Sequence, residues 1–481
     1  MPYNHRISTR EIDTSVITPV ESSAGLRVVV GTAPVNLLED PAAAVNTPII
    51  AYSFSEGAEK IGYSDDFDAY TCCEVLDATF RVFNVGPVIF INVLDPATHV
   101  KSYSSTATVT GGVASVAVTG ILMASLTITG GEQTLDKGTD YLAEFDETGG
   151  VTITLLDTAK TAGLTSLTVA ASQLDPSAVT AADIIGGYNA ATGVEKGIEV
   201  IRQIYPKLGM VPGLLLAPKW SATPTVAVAL AAKCEDLNGL FTCECVIDMD
   251  TTTATKYTDL KTAKEAMGVV NAHAILCWPK VKLGDKVYNY SSVWAAMAAY
   301  TDTGNGDVPF KSPSNEIINM SAAVTASGAE VLLDIPQAEV VNSYGIVTAI
   351  NDNGWRAWGN STSIYPSSTD PKDRWIACRR MMSWYRNHFI LTYKQKVDDP
   401  ISYRLIEALV TSESIYLNSL QAVGSIAGGE ISFNEDENPI TQILDGHIIF
   451  HTRLGLWPPA EYIENIIEFD PTILAGALGG E

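Results

Sequence analysis

Asp248 and Asp250 close one apolar run of the chain, and Lys219 and Lys280 follow two others. Open α/β sheets bind ligands at the carboxyl ends of their strands. Paired carboxylates with lysines nearby are the parts from which a metal-assisted hydrolase is built. One reading is therefore an oligomeric α/β enzyme with a strand-end site near Asp248. The rest of such machinery is missing. Thr303-Gly-Asn-Gly306 follows a helical pattern and lacks the Lys-Ser/Thr of a phosphate loop, and no Gly-x-Ser-x-Gly elbow occurs. The six histidines (5, 99, 273, 388, 447 and 451) form no His-Glu-x-x-His pair. Among seven cysteines, Cys243 and Cys245 share one strand face but have no second pair at zinc spacing, so buried reduced thiols are expected. The acidic loop 434–438 lacks EF-hand spacing. Strand-end carboxylates are more often caps or solvated, and no catalytic, cofactor or metal residues are expected.

The balance of 55 acids against 30 bases gives a net charge of −25 over 481 residues. A general nucleic-acid binder needs a basic face, so that class is disfavoured. Mutual repulsion keeps copies apart until specific contacts join them. No apolar run reaches the roughly 18 residues that span a bilayer. The first ten residues lack the apolar core of a signal peptide, so synthesis in a cytoplasm without general export is expected.

The elements that would position these residues alternate. Residues 1–24 scatter Ile7, Ile12 and Val16 among polar residues and read as an extended arm. A strand at 26–32, a helix at 65–84 and a strand at 88–93 open an α/β core over 25–100. Residues 101–182 are rich in Thr, Val and Gly, alternate with period two, and read as an inserted all-β domain. The core resumes over 183–345, with a helix-like stretch at 193–205. Strands follow at 212–218, 243–248 and 272–278, and helices at 223–237, 257–267 and 291–301, which implies a mostly parallel sheet. The stretch 342–360 has a short strand, an Asn-Asp-Asn-Gly turn, and then Trp355, Arg356 and Trp358. It reads as a packed junction between two halves.

An α+β C-terminal domain is expected over 346–459. Its helix 373–393 carries an apolar stripe of Trp375, Cys378, Met382, Tyr385 and Phe389. From 372 to 396 there are seven bases and one acid. Either acids elsewhere neutralise them or they face an acidic partner. Helical pattern over 403–427 ends at Gly428-Gly429, a strand is expected at 447–453, and 460–470 reads as one more strand in an exposed arm, 460–481.

Several motifs stand in a particular order and spacing: Trp294-Ala-Ala-Met-Ala-Ala-Tyr300, Phe310-Lys-Ser-Pro-Ser-Asn315, Gly354-Trp355-Arg356, Trp358-Gly359-Asn360, Ile431-Ser-Phe433 with Asn438, and Pro459-Ala-Glu461. In these the chain resembles the contractile tail sheath proteins of phages and R-type bacteriocins, relatives of the type VI secretion sheath. The resemblance covers roughly 26–100 and 185–481; the β insertion matches only as a variable outer domain. It implies a structural subunit that polymerises as stacked rings around an inner tail tube. Contraction would drive that tube through a target cell envelope, powered by a metastable assembly and no cofactor. Implied partners are further copies of the chain, the tube protein, and baseplate and tail terminator proteins. Direct nucleic-acid contact and membrane insertion are not implied. The implied setting is a virion or phage tail-like particle assembled in the bacterial host cytoplasm. The C-terminal domain would face the tube, with Arg379, Arg386 and Lys394 as contacts. The arms, through Ile7, Ile12 and Val16 and through Ile463, Ile467 and Phe469, would add strands to neighbours.

Overall fold

The computed structural model describes residues 20–21 and 24–478. Ile7, Ile12 and Val16 lie outside the described residues.

The core begins with β1 (Arg27–Gly31), whose Val28, Val29 and Val30 are completely buried. A strand apolar on both faces belongs in the middle of a covered sheet. An edge strand β2 (Ile49–Ala51) follows, then helix α1 (Phe54–Ile61). Helix α2 (Thr71–Asp77) runs on into a π turn, Ala78–Val82, before β3 (Val88–Asn92). The helix expected from 65 therefore starts later. Asp66 is occupied in the preceding loop, where its side chain accepts from the Ala69 amide.

Seven strands then form a separate module: β4 (Val100–Thr108), β5 (Val113–Val116), β6 (Thr127–Gly130), β7 (Gln133–Leu135), β8 (Tyr141–Phe145), β9 (Val151–Leu155) and β10 (Ser166–Leu174). They make sheets of order β4-β10-β6-β7 and β8-β9-β5 around Ile128, Val151, Ile153 and Val169. The entering and leaving strands, β4 and β10, pair along their whole length, from Val100↔Leu174 to Thr108↔Ser166.

The core resumes with β11 (Leu214–Leu216), α3 (Pro224–Glu235), β12 (Glu244–Asp248), α4 (Leu260–Met267), β13 (Ala274–Cys277) and α5 (Tyr290–Thr303). The stretch 193–205, read as helix, is a hairpin strand and a 3-10 turn, with a short helix from Ile204. Strand β14 (Ile346–Asn351) and its antiparallel partner β15 (Trp355–Trp358) complete an eight-stranded sheet of order β15-β14-β13-β12-β11-β1-β3-β2. Six strands are parallel, and antiparallel β15 and β2 close the edges. The stretch read as a hinge is thus the sheet's edge hairpin, and a boundary at 345 would cut through the sheet.

The remaining chain builds a second, smaller cluster from α6 (Ile376–Tyr393), α7 (Tyr403–Ala422), β16 (Gly428–Ser432) and β17 (His451–Gly455). Helix α6 serves both bodies: Ile376 packs in the main core, and Met381 and Tyr385 in the second cluster. Gly428 and Gly429 do not end α7 but open β16. A Cβ on Gly429 would lie 2.9 Å from the end of the Leu417 side chain, so a larger residue there would make Leu417 shift. The strand expected at 447–453 begins only at His451. Residues 460–470 form no strand, and helix α8 (Pro471–Ala477) follows them.

Candidate functional site

The order of the sheet reverses between β1 and β11, and a groove of about 920 Å³ opens at the carboxyl ends of the strands there. Asp65, Lys219, Asp248, Asp250 and Lys280 line it, so the sequence reading brought together residues that do meet. The side chains of Asp65, Lys219, Asp248 and Asp250, however, are engaged within the fold. Asp248 is buried. Its Oδ1 accepts from the Ser291 amide at 2.8 Å, and its Oδ2 from the hydroxyls of Ser291 (2.6 Å) and Ser221 (3.3 Å). Ser291 is in the first turn of α5, so this carboxylate ties β12 to a helix start. Burial raises the Asp248 carboxyl above the ordinary aspartate range. Asp250 accepts from the amide and hydroxyl of Thr252 and the hydroxyl of Thr253. Lys219 donates to the Asp68 carbonyl at 2.7 Å. No metal-holding group of three or more His, Cys, Asp or Glu exists among the described residues. All seven cysteines are buried and unpaired.

Beside the groove, Glu74 of α2 accepts from the Asn289 amide (2.5 Å) and side chain (2.7 Å), and burial pushes its carboxyl up to about 8. Asp77 accepts from the hydroxyls of Tyr288 and Tyr63, both at 2.7 Å, from Lys286 at 2.9 Å and from Arg81 at 3.1 Å. Both join α2 to a strap 210 residues downstream, which sequence spacing could not reveal.

At the edge hairpin, Trp355 is buried in the main core and Trp358 packs against it half-buried. Arg356 reaches the Asn315 carbonyl at 2.8 Å. The tightest tie across this region comes from a residue that sequence reasoning passed over. Lys264 of α4 donates to the carbonyls of Tyr344 (2.6 Å), Ser363 (2.6 Å) and Tyr365 (2.7 Å), clamping both flanks of the hairpin. A lone helical lysine carries no signal of such a role.

The basic run 372–396 is largely neutralised by acids. Lys372 pairs with Asp370 and Asp373, Arg374 with Glu461, Arg379 with Asp373, and Lys396 with Asp399. Arg380, one of the seven bases of this run, is buried. It clasps Asp302 at the end of α5 through both terminal nitrogens (Nη1–Oδ1 3.0 Å). Lys394 donates to the Tyr205 hydroxyl at 3.2 Å. Of Arg379, Arg386 and Lys394, only Arg386 is exposed with neither hydrogen bond nor ion pair among the described residues.

Two features near the C-terminus are incomplete. Strands β16 and β17 pair only with each other, over Gly428↔Gly455 to Ser432↔His451, leaving an open edge on each side. Beyond Gly455 the chain runs out over the surface, with Ile463 84 %, Ile467 86 % and Phe469 79 % exposed. Soluble proteins rarely leave such a run of large apolar side chains uncovered.

No protein-family model matches the chain. Along almost its whole length it is similar to the tail sheath protein of Burkholderia phage BcepMu: 27% identity over 497 residues, covering 99% of each chain. Its fold is similar to a chain in the cryo-EM structure of the anti-feeding prophage baseplate, with a TM-score of 0.59 and 16% identity over 98% of this chain and 100% of that one. It is equally similar to a chain of the PVC sheath complex, an extracellular contractile injection system in its contracted state (TM-score 0.58, 14% identity, 98% and 99% covered). The architecture is thus the one found in contractile injection machines. The sequence similarity to a tail sheath protein and the similarity of fold both extend over almost the whole chain.

Proposed function

We propose that this chain is the structural subunit of a contractile sheath. It polymerises as stacked rings around an inner tube, held at its ends by baseplate and terminator proteins, and its contraction drives the tube through a target envelope. The observation that carries this reading is the exposed apolar segment 460–470 together with the open two-stranded sheet β16–β17. A segment whose apolar side chains find no cover in their own chain can complete the sheet of a neighbour through main-chain hydrogen bonds. Ile463, Ile467 and Phe469 would then be buried, and Ile7, Ile12 and Val16 of the N-terminal arm would tie a second neighbour in the same way. Links of this kind let subunits turn as rigid bodies without parting. The energy would come from the metastable assembly, with no catalytic step, and the setting is a virion or tail-like particle. Arg386, exposed and unpaired on α6, is the strongest candidate for an electrostatic contact with the tube. Arg379 and Lys394 are already engaged within the chain.

Negative-stain electron microscopy of the chain, alone and co-expressed with its tube, tests the reading. Long cylinders with a helical surface pattern are expected. Deleting residues 1–20 abolishes them and leaves a folded monomer; normal cylinders from that deletion would refute the role of the N-terminal arm. Arg386→Glu loosens the tube and spares sheath self-assembly, read as the amount of tube that co-purifies.

A further inference from the structure

Three stretches far apart in sequence, 310–315, 358–360 and 459–461, meet in one groove of about 670 Å³. The first two form its floor and are tied together. The Ser312 hydroxyl donates to the Asn360 side chain at 2.6 Å, and the Gly359 amide donates to the Ser314 hydroxyl at 3.0 Å. The Asn342 side chain donates to the Trp358 carbonyl at 2.9 Å.

The chain beyond β17 crosses this groove and is held at three points. The Trp457 indole donates to the Gly424 carbonyl, just past the end of α7, at 3.1 Å. The Cys378 thiol of α6 donates to the Trp457 carbonyl at 3.6 Å. Glu461 accepts from Arg374 at 2.9 Å. Arg374 reaches it from a prepared seat. It ends the short turn Pro371–Arg374, which Asp370 caps. Its guanidinium lies 4.3 Å from the centre of the Tyr365 ring and 4.0 Å from that of Trp375. Stacking on aromatic faces holds a guanidinium in place and leaves its edge free for a carboxylate. The Tyr365 carbonyl is in turn bound by Lys264, so the seat is joined to α4 and the main body.

After Glu461 the ties stop. From Tyr462 to Phe469 no residue makes a hydrogen bond or ion pair among the described residues. Tyr462, Ile463, Ile466 and Ile467 are 80–86 % exposed. We infer that Arg374 is a positioning residue for the C-terminal segment: with Glu461 it mounts the chain on the body up to that residue, and the segment swings from Tyr462. Without the pair, the swing point moves back toward Trp457, and the segment leaves the body in no fixed direction. An ordinary exposed ion pair contributes little. This one is set by two rings, and its arginine is only 22 % exposed. A segment that joins copies must leave each copy at the same place. A loosened mount lowers the effective concentration at which it meets its neighbour.

The assembly part of this inference rests on the sheath reading above, and the test separates the two. A dye on Glu464→Cys reports the mount in the dilute monomer, because the seven native cysteines are buried. Time-resolved anisotropy is the readout. Arg374→Glu and Glu461→Arg each lower the residual anisotropy. Glu461 lies past the last strand, so its variant keeps the urea midpoint even where Arg374→Glu disturbs the fold. The two changes together regain part of the loss. The same chains without dye, co-expressed with the tube, give fewer cylinders for each single variant and more for the double. Anisotropy unmoved by Glu461→Arg would overturn the mount. A double variant as loose as the singles would assign the effect to lost stacking on Tyr365 and Trp375 and overturn the pairing. Looser segments with undiminished cylinders would overturn the role in assembly. No cylinders from the unaltered chain would instead remove the sheath reading, and the anisotropy would still decide the mount.

Discussion

The strand-end groove and the open sheet β16–β17 are built from similar parts, with opposite results. In the groove, Asp248 meets Ser291 and Ser221, Asp250 meets two threonines, and Lys219 meets a carbonyl. Asp248 and Lys219 hold one segment against another, and Asp250 orders its own loop. In the C-terminal sheet, Arg453 has no hydrogen bond or ion pair among the described residues, both edges are open, and a highly exposed apolar segment lies just beyond. A polar group paired within its own chain holds the fold together. One left unpaired, beside uncovered apolar surface, marks where a second molecule is needed. The location of function is therefore read from where pairing stops, not from where charged residues gather.

The largest test of this contrast falls on Arg380, where pairing is most complete. Both members of the Arg380–Asp302 pair are buried, and burial raises the Asp302 carboxyl against the pull of Arg380. Arg380→Ala strands that carboxylate and costs about 3–5 kcal/mol, measured by urea denaturation of the monomer. Loss of less than about 1 kcal/mol would mean that α6 is only loosely held to α5.

Lys264→Met comes next. It leaves three carbonyls without their shared donor and costs about 2–3 kcal/mol. Because those carbonyls flank the edge hairpin, faster amide exchange should appear in 344–365 before the rest of the sheet loosens. Uniform loosening would remove the clamp reading.

Asp248→Ala removes a buried strand-to-helix tie and costs about 1–3 kcal/mol. The neighbouring Glu74 adds a pH dependence. Burial raises its folded-state pKa to about 8, above the unfolded value, so the folded chain holds a proton that the unfolded chain releases. Its stabilising contribution is full below the ordinary glutamate pKa and is lost as pH rises through about 8. The urea midpoint should therefore fall between pH 5 and pH 8.5, and Glu74→Gln should flatten that fall. A midpoint equally steep in the variant would assign the dependence to other groups.

How much of this was legible in the sequence follows the same divide. The buried parallel strands could be read because each is a near-continuous β-branched or apolar run, as in Val28–Val30 and Leu214–Leu216. Helix α1 went unread although its start is written locally: the Ser53 hydroxyl accepts from the Glu56 amide, and Glu56 accepts from the Tyr52 amide. The burial of Arg380 could not be read because its partner Asp302 lies 78 residues upstream, and no local pattern reports that. The same holds for Lys264 and for Glu74 with Asn289. Segment 460–470 reads as a strand from its apolar residues, but it forms none, because no neighbouring strand of this chain bonds to it.

The smallest effect is the most telling. Ile463→Ser with Ile467→Ser changes two of the most exposed large side chains, so monomer stability should move by no more than about 0.5 kcal/mol. In the open groove-like regions of an ordinary surface, such a change would pass unnoticed. Here the same pair should abolish cylinders, since an isoleucine buried on strand addition contributes about 1.5–3 kcal/mol and every copy in the polymer uses the contact. Folding energy and assembly energy would then be separated onto different residues. If the double variant assembles normally, segment 460–470 is not part of the lattice. If it instead unfolds the monomer, the segment packs on its own chain in solution, and the contrast between a closed core and an open C-terminal sheet fails at its most exposed point.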